Sequence, residues 1–211
     1  MLPPVPPSTG GGSLPAQRRA RIERATLETR IDASLGLEGG AIIAHTGVPF
    51  LDHMLEALGR HGKFGIEIIC DGDAAMDPHH TVEDVGIVLG QSIREALGDR
   101  RGIARFGSAY APLDEALARV VIDCSGRPYL QYEAAMPEPV IGRDFAASLV
   151  EEFWRALVVN AGLTAHIDLI RARNAHHAAE AIFKAGGLAL HAATRRTGDP
   201  AAVPSTKGIL A

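Results

Sequence analysis

The chain has 211 residues, 46% hydrophobic and 22% charged, with a formal net charge of −4. That is enough apolar chain for one compact domain or two small ones, and the acidic balance argues against a nucleic-acid surface, which needs a basic field. No apolar run reaches membrane-spanning length. Cys70 and Cys124 stand apart with no CxxC, so a reduced, buried pair in a cytoplasmic protein is expected, and any metal chemistry rests on His and carboxylate.

Residues 1–16 are rich in Pro, Gly and Ser and read as a disordered tail without the apolar segment of a signal peptide. The boundaries expected are a tail over 1–20, half-repeats over 21–100 and 101–200, and a C-terminal loop over 201–211. The first half begins with loose alternation over Arg21–Leu37, read as one strand. A turn at Glu38-Gly39-Gly40 leads to a strand at Ala41–His45. Leu51, Leu55 and Leu58 predict a helix over about residues 50–61. A strand at Gly65–Cys70 and a helix from Pro78 to about Leu97 complete this half. The second half repeats the order. Strands are expected at Ala118–Cys124 and Tyr129–Ala134, a helix over Phe145–Val159, a strand at Thr164–Ile170 and a helix from Ala175 to about Thr194. This is an α+β chain made of an internally duplicated β-β-α-β-α unit, with helices on one face of each sheet. Gly186-Gly187 sits inside the last helix, where each Gly costs about 0.5–1 kcal/mol against Ala. Either packing demands small residues there or the helix is locally loose.

The strongest motif is DPHHTVED, residues 77–84, echoed by NAHHAAEA, residues 174–181. Each reads His-His-x-x-Glu, and the paired positions are separated by 97 residues (176 − 79). A single copy reads more simply as a His-rich helix start; two copies at matching positions point to a duplicated metal site. With Asp77 as N-cap, Pro78 takes the first helical position, where its missing N–H is harmless. His79 and Glu83 then stack at i and i+4. His80 is turned by about 100° and cannot serve the same ion easily. Each motif therefore offers one His and one Glu to one metal and its second His to another. The carboxylate also offsets the positive end of the helix dipole.

The chain resembles the imidazoleglycerol-phosphate dehydratases over nearly everything from Arg21 to Leu210. The stretches carrying the resemblance are PFLDHMLEALGRHG (49–62), HHTVEDVG (79–86), RFGSAYAPLDEAL (105–117), SGRPYL (125–130), NAHHAAEAIFKA (174–185) and PSTKG (204–208). The resemblance implies a ribosomal protein S5 domain 2-like unit and the dehydration of D-erythro-imidazole-glycerol phosphate to imidazole acetol phosphate in histidine biosynthesis. It implies no redox cofactor, and two manganese ions per active site that hold the substrate imidazole and act as Lewis acids. It further implies a cytoplasmic homo-oligomer of twenty-four chains built from trimers, with active sites at subunit boundaries.

Carried over by position, one manganese takes His53, His80, His176 and Glu180. The other takes His79, Glu83, His177 and Glu152, where many relatives carry His. Glu152 is a reasonable hard ligand for manganese; its plain alternative is a solvated helix residue. Glu28 matches the acid/base position and, with His53, His80 and His177, is expected at the reacting part of the substrate. Arg105, Arg127, Lys184, Ser205, Thr206 and Lys207 match the phosphate-binding positions, and His61 lines the site. His45 is placed near substrate, His166 in a strand and His191 at the surface.

Two other classes fit the twinned motif by itself. A di-metal hydrolase would release phosphate from an ester, and a non-enzymatic protein would use metal only to hold an oligomer together.

Overall fold

A computed structural model describes residues 17–208. The expected tail over 1–16 lies outside the described residues, and the first strand already begins at Arg19. The first half runs β1 (Arg19–Ala25), β2 (Thr29–Gly36), β3 (Ile42–His45), α1 (Pro49–Gly62), β4 (Gly65–Gly72) and α2 (Pro78–Leu97). The second runs β5 (Phe106–Leu113), β6 (Ala116–Asp123), β7 (Tyr129–Glu133), β8 (Val140–Ile141), β9 (Phe145–Ala146), α3 (Ser148–Ala161), β10 (Thr164–Arg171) and α4 (Ala175–Thr194).

The duplication is visible in the topology. One sheet has the order β1-β2-β4-β3 and the other β5-β6-β10-β7, the same arrangement in repeat terms. In both, the third strand of the half joins its sheet by parallel pairing, β3 to β4 and β7 to β10. The first three strands repeat at 87 residues (106 − 19), whereas α1 and β4 repeat at 99 (148 − 49, 164 − 65). The difference of 12 residues (99 − 87) lies between β7 and α3, where the β8–β9 hairpin sits.

The repeated unit carries one strand more than expected and is β-β-β-α-β-α, and the second half adds the β8–β9 hairpin to it. The stretch Arg21–Leu37 is a hairpin rather than one strand. Its turn contains no Gly or Pro to announce it. Thr26 makes it instead, its Oγ1 accepting the N–H groups of Glu28 (3.1 Å) and Thr29 (3.0 Å). In the second half the corresponding turn passes through Asp114, whose φ of +47° is left-handed, and β5 ahead of it was not anticipated. Residues Phe145 and Ala146 form β9, so α3 starts three residues later than expected, at Ser148.

The helices form a layer between the two sheets. α2 lies on β1 and β2, α4 on β5 and β6, and the layers meet as α2 against α3 and α1 against α4. Buried residues from both sheets and all four helices join one apolar core. Glycine sets how closely the helices approach. A Cβ on Gly86 would stand 2.8 Å from the carbonyl oxygen of Phe153, and one on Gly90 2.5 Å from that of Leu157. On Gly187 it would stand 2.7 Å from the carbonyl oxygen of Leu58. Gly186 faces the Trp154 indole. The Gly186-Gly187 pair thus serves close packing.

Gly187→Ala is accordingly expected to destabilise the metal-free protein by about 1–3 kcal/mol through overpacking, although Ala is the better helix former. Denaturant unfolding measures this, and a more stable variant would remove close packing as the reason for the glycine.

Candidate metal centre

The two His-His-x-x-Glu motifs open α2 and α4. The Asp77 carboxylate accepts the His79 backbone N–H at 3.0 Å, with Pro78 in the first turn, and the Asn174 amide oxygen accepts that of His177 at 3.0 Å. Both caps leave the first His and the Glu one turn apart on a shared face. His79 Nε2 and Glu83 Oε2 are 3.8 Å apart, and His176 Nε2 and Glu180 Oε2 are 3.3 Å apart.

Helix packing brings a third side chain to each pair, from the opposite half of the chain. His53 on α1 places Nε2 3.3 Å from Glu180 Oε2, closing the group His53, His176 and Glu180. Glu152 on α3 joins His79 and Glu83. Within each group the ligand-type atoms lie within 4.8 Å of one another. His53 and Glu152 are equivalent by the repeat of 99 residues (152 − 53). The donors are imidazole nitrogen and carboxylate oxygen with no thiolate, a set that suits a hard or borderline divalent ion. The spacing also fits, because cis ligands about 2.1 Å from one ion stand roughly 3 Å apart.

The second histidines lie apart from these groups in the single chain. The rings of His79 and His80 are 6.1 Å apart and nearly perpendicular, as are those of His176 and His177 at 6.2 Å. His80 Nδ1 is 3.0 Å from Asp73 Oδ2, and His177 Nδ1 is 2.8 Å from Glu115 Oε2. These carboxylates raise the pKa of both rings. The His177 contact, with help from backbone N–H groups, draws Glu115 down to about 2.

Glu28 lies at the β1–β2 turn with Oε1 3.8 Å from His80 Nε2. Its turn is anchored from below. The buried Asp84 carboxylate on α2 accepts from Thr29 Oγ1 and from Arg24, whose Nη2 is 2.8 Å away. Around the first group, Lys184 Nζ is 2.7 Å from Glu180 Oε1. Burial pushes Glu180 up, but Lys184 and His53 outweigh it and the carboxyl ends below its ordinary value. Burial, then the neighbouring Lys184 charge, lowers the pKa of His61.

The remaining phosphate-type residues are elsewhere in the chain. Arg105 donates through Nη1 to the Pro204 carbonyl oxygen at 2.8 Å and pairs with Asp123, holding the loop that carries Ser205, Thr206 and Lys207. Its backbone N–H meets the Ala193 carbonyl near the end of α4. His176 is at the other end of that helix, roughly 25 Å away at 1.5 Å per residue. Arg127 is exposed beside the C-terminal end of α3, where the Gly126 N–H meets the Gly162 carbonyl oxygen at 3.0 Å, whereas Glu152 is near that helix's start. His166 faces solvent from β10. Cys70 and Cys124 are free and buried.

Asp73 and Glu115 were not anticipated. The repeat held a signal for Glu115, which stands 87 residues after Glu28 (115 − 28), at the same hairpin turn of the unit. Asp73 had none beyond being an acid ahead of a His pair.

Among known proteins, the family model described as imidazoleglycerol-phosphate dehydratase matches residues 46–190. Curated relatives of that name include one from Aromatoleum aromaticum, 54% identical over 92% of this chain and 100% of its own length. Another, from Thioalkalivibrio sulfidiphilus, is 52% identical over the same shares of the two chains. The crystal structure of the Staphylococcus aureus dehydratase is 43% identical, covers 85% of this chain and 99% of its own, and superposes with a TM-score of 0.78. Fold, site and relatives together define a carbon–oxygen lyase of the water-eliminating class. The chain belongs to the imidazoleglycerol-phosphate dehydratase family, enzymes of histidine biosynthesis acting on a small phosphate substrate.

The Glu115–His177 pair gives the metal-free protein a defined pH response. Glu115 is depressed when folded, so its contribution is present above the unfolded value of about 4.3 and is lost as pH falls toward its folded value. His177 is raised when folded, so its contribution is present below about 6.5 and is lost as pH rises through its folded value. The destabilisation caused by Glu115→Ala should therefore be largest between about pH 4.3 and 6.5. Chemical denaturation of both metal-free proteins across pH checks this; a pH-independent difference would mean that the pair is not ionic.

Proposed function

We propose that this chain dehydrates D-erythro-imidazole-glycerol phosphate to imidazole acetol phosphate, using two manganese ions per active site. The observation that carries the metal reading is the pair of His/Glu groups, each assembled from both halves of the chain, within a family that performs this elimination. Bound manganese would supply Lewis acidity and a fixed orientation for the substrate imidazole.

The chain's own residues divide the remaining work. The elimination breaks one C–H and one C–O bond and releases water. Glu28, exposed on an anchored turn beside His80, carries a proton between the glycerol carbons and solvent. His53, His176 and Glu180 hold one ion; His79, Glu83 and Glu152 hold the other. His80 would complete the first of these sites and His177 the second, each with Nε2 as ligand atom. Burial and the nearby Lys184 charge hold the His61 pKa below its ordinary value, which suits the ring to hydrogen bonding rather than charge pairing with substrate. Arg105, Arg127, Lys184, Ser205, Thr206 and Lys207 bind phosphate by charge and hydrogen bonds.

The roughly 25 Å between the C-terminal loop and the His176 group exceeds what one small substrate spans. A complete site therefore draws its metal groups and its phosphate loop from different copies of the chain. This supports the homo-oligomer, trimers assembling to twenty-four subunits, and locates the need for it in site completion.

Purified protein incubated with imidazole-glycerol phosphate should yield the ketone product with manganese present and none after chelation. Release of inorganic phosphate would support the hydrolase instead, and turnover in metal-free protein would end the metal reading.

Two variants separate the parts. Glu152→Ala is expected to lose one metal preferentially, while Glu152→His keeps both and shifts preference toward zinc or cobalt. Metal analysis by mass spectrometry decides, and two ions at unchanged affinity in Glu152→Ala would remove Glu152 as a ligand. Lys207→Ala should raise KM about ten- to a hundred-fold, the worth of a charge-assisted contact, with metal content unchanged. Steady-state kinetics measures it, and an unchanged KM would return the loop to a solvated terminus.

A further inference from the structure

We infer that Glu115 and Asp73 are positioning residues that fix the ring tautomers of His177 and His80, leaving each Nε2 bare as a ligand atom. The inference rests on the metal reading above and specifies how two of its histidines are prepared.

The geometry is alike in both halves. His177 Nδ1 lies 2.8 Å from Glu115 Oε2, and His80 Nδ1 lies 3.0 Å from Asp73 Oδ2. An ionised carboxylate only accepts, so the ring proton of a neutral imidazole must sit on Nδ1 and the lone pair on Nε2. A histidine held this way is oriented and made more basic toward an ion.

The duplication does not force this arrangement. Glu115 reaches His177 from the β5–β6 turn, whereas Asp73 reaches His80 from the loop before α2. The repeat counterpart of Glu115 is Glu28, which stands on the Nε2 side of His80 rather than its Nδ1 side. The counterpart of Asp73 is Ile170 at the helix spacing of 97 and Ala172 at the strand spacing of 99, and neither is an acid. Two inequivalent side chains thus supply the same contact to equivalent histidines. Glu115 has a second task that frees it from chemistry. Its Oε1 accepts the backbone N–H groups of Arg173 at 3.2 Å and Asn174 at 3.1 Å, ahead of α4. Glu28 makes no such backbone contact among the described residues and stays available for proton transfer.

This division of the two carboxylate oxygens makes the test clean. In Glu115→Gln the amide oxygen can replace Oε1 and keep both backbone contacts. The amide NH2 then replaces Oε2 and donates to His177 Nδ1, which drives the ring proton onto Nε2. Asp73 Oδ1 has no hydrogen-bond partner that would orient an amide, so Asp73→Ala is the variant that releases His80 Nδ1 from its acceptor. The readouts are manganese bound per chain by mass spectrometry, thermal unfolding of the metal-free proteins, and histidine ring nitrogen shifts at alkaline pH. Wild-type protein should bind two manganese ions per chain and show both rings protonated on Nδ1. Each variant should weaken one ion by about 10–100-fold, move one ring to the Nε2 tautomer and, at alkaline pH, beyond the window in which the ion pair stabilises the fold, unfold without metal as the wild type does. Two ions held at wild-type affinity by the variants would overturn the inference. So would a variant whose metal-free stability at that pH falls along with its metal content, the mark of a merely structural contact. Wild-type protein that binds no manganese yet shows Nδ1 tautomers would overturn the metal reading itself and leave the ring orientation standing.

Discussion

Everything at this centre depends on how closely four helices pack between two sheets. Each His/Glu pair on α2 or α4 is local, fixed by i and i+4 spacing on a capped helix. The third side chain is not local. Glu152 meets His79 and Glu83 only because α3 lies against α2, and His53 meets His176 and Glu180 only because α1 lies against α4. Gly86 and Gly90 allow the first approach and Gly187 the second, since a Cβ at any of them would strike the facing helix backbone. The glycines weaken the helices by propensity and gain it back through interhelical contact and the placement of ligand-type atoms.

Duplication explains why the centre has two parts, and divergence explains why they differ. His53 and Glu152 occupy equivalent helix positions, so one group presents two imidazoles and a carboxylate while the other presents one imidazole and two carboxylates. The second group is the more anionic and offers more oxygen, which favours a harder ion. The hairpin glutamates diverged further. Glu28 stands exposed on a turn anchored through Thr29, Arg24 and Asp84. Glu115 is taken up by His177 and two backbone N–H groups, and its low pKa reports that engagement.

The motif histidines, the glutamate four residues on from the first of each pair, and the caps before them were legible in the sequence because they obey short-range rules of helix geometry. The same holds for α2 and α4, whose ends agree with the expected ones, and for the α+β duplication, which the spacing of 97 residues announced. The hairpin turns were not legible. Thr26 closes one with its hydroxyl and Asp114 enters the left-handed region in the other, and neither residue carries the Gly or Pro signal that marks a turn. Tertiary structure alone decided that Gly186-Gly187 is a packing surface, because Gly187 touches Leu58 and Gly62, more than a hundred residues away in sequence, and Gly186 touches Trp154 on another helix. It alone separated His80 and His177 from the two groups and gave them Asp73 and Glu115 as partners, since no periodicity links a loop or hairpin acid to a histidine on another element. It also set the C-terminal loop at the far end of α4 from His176, a distance fixed by the rise of the helix and invisible to any motif.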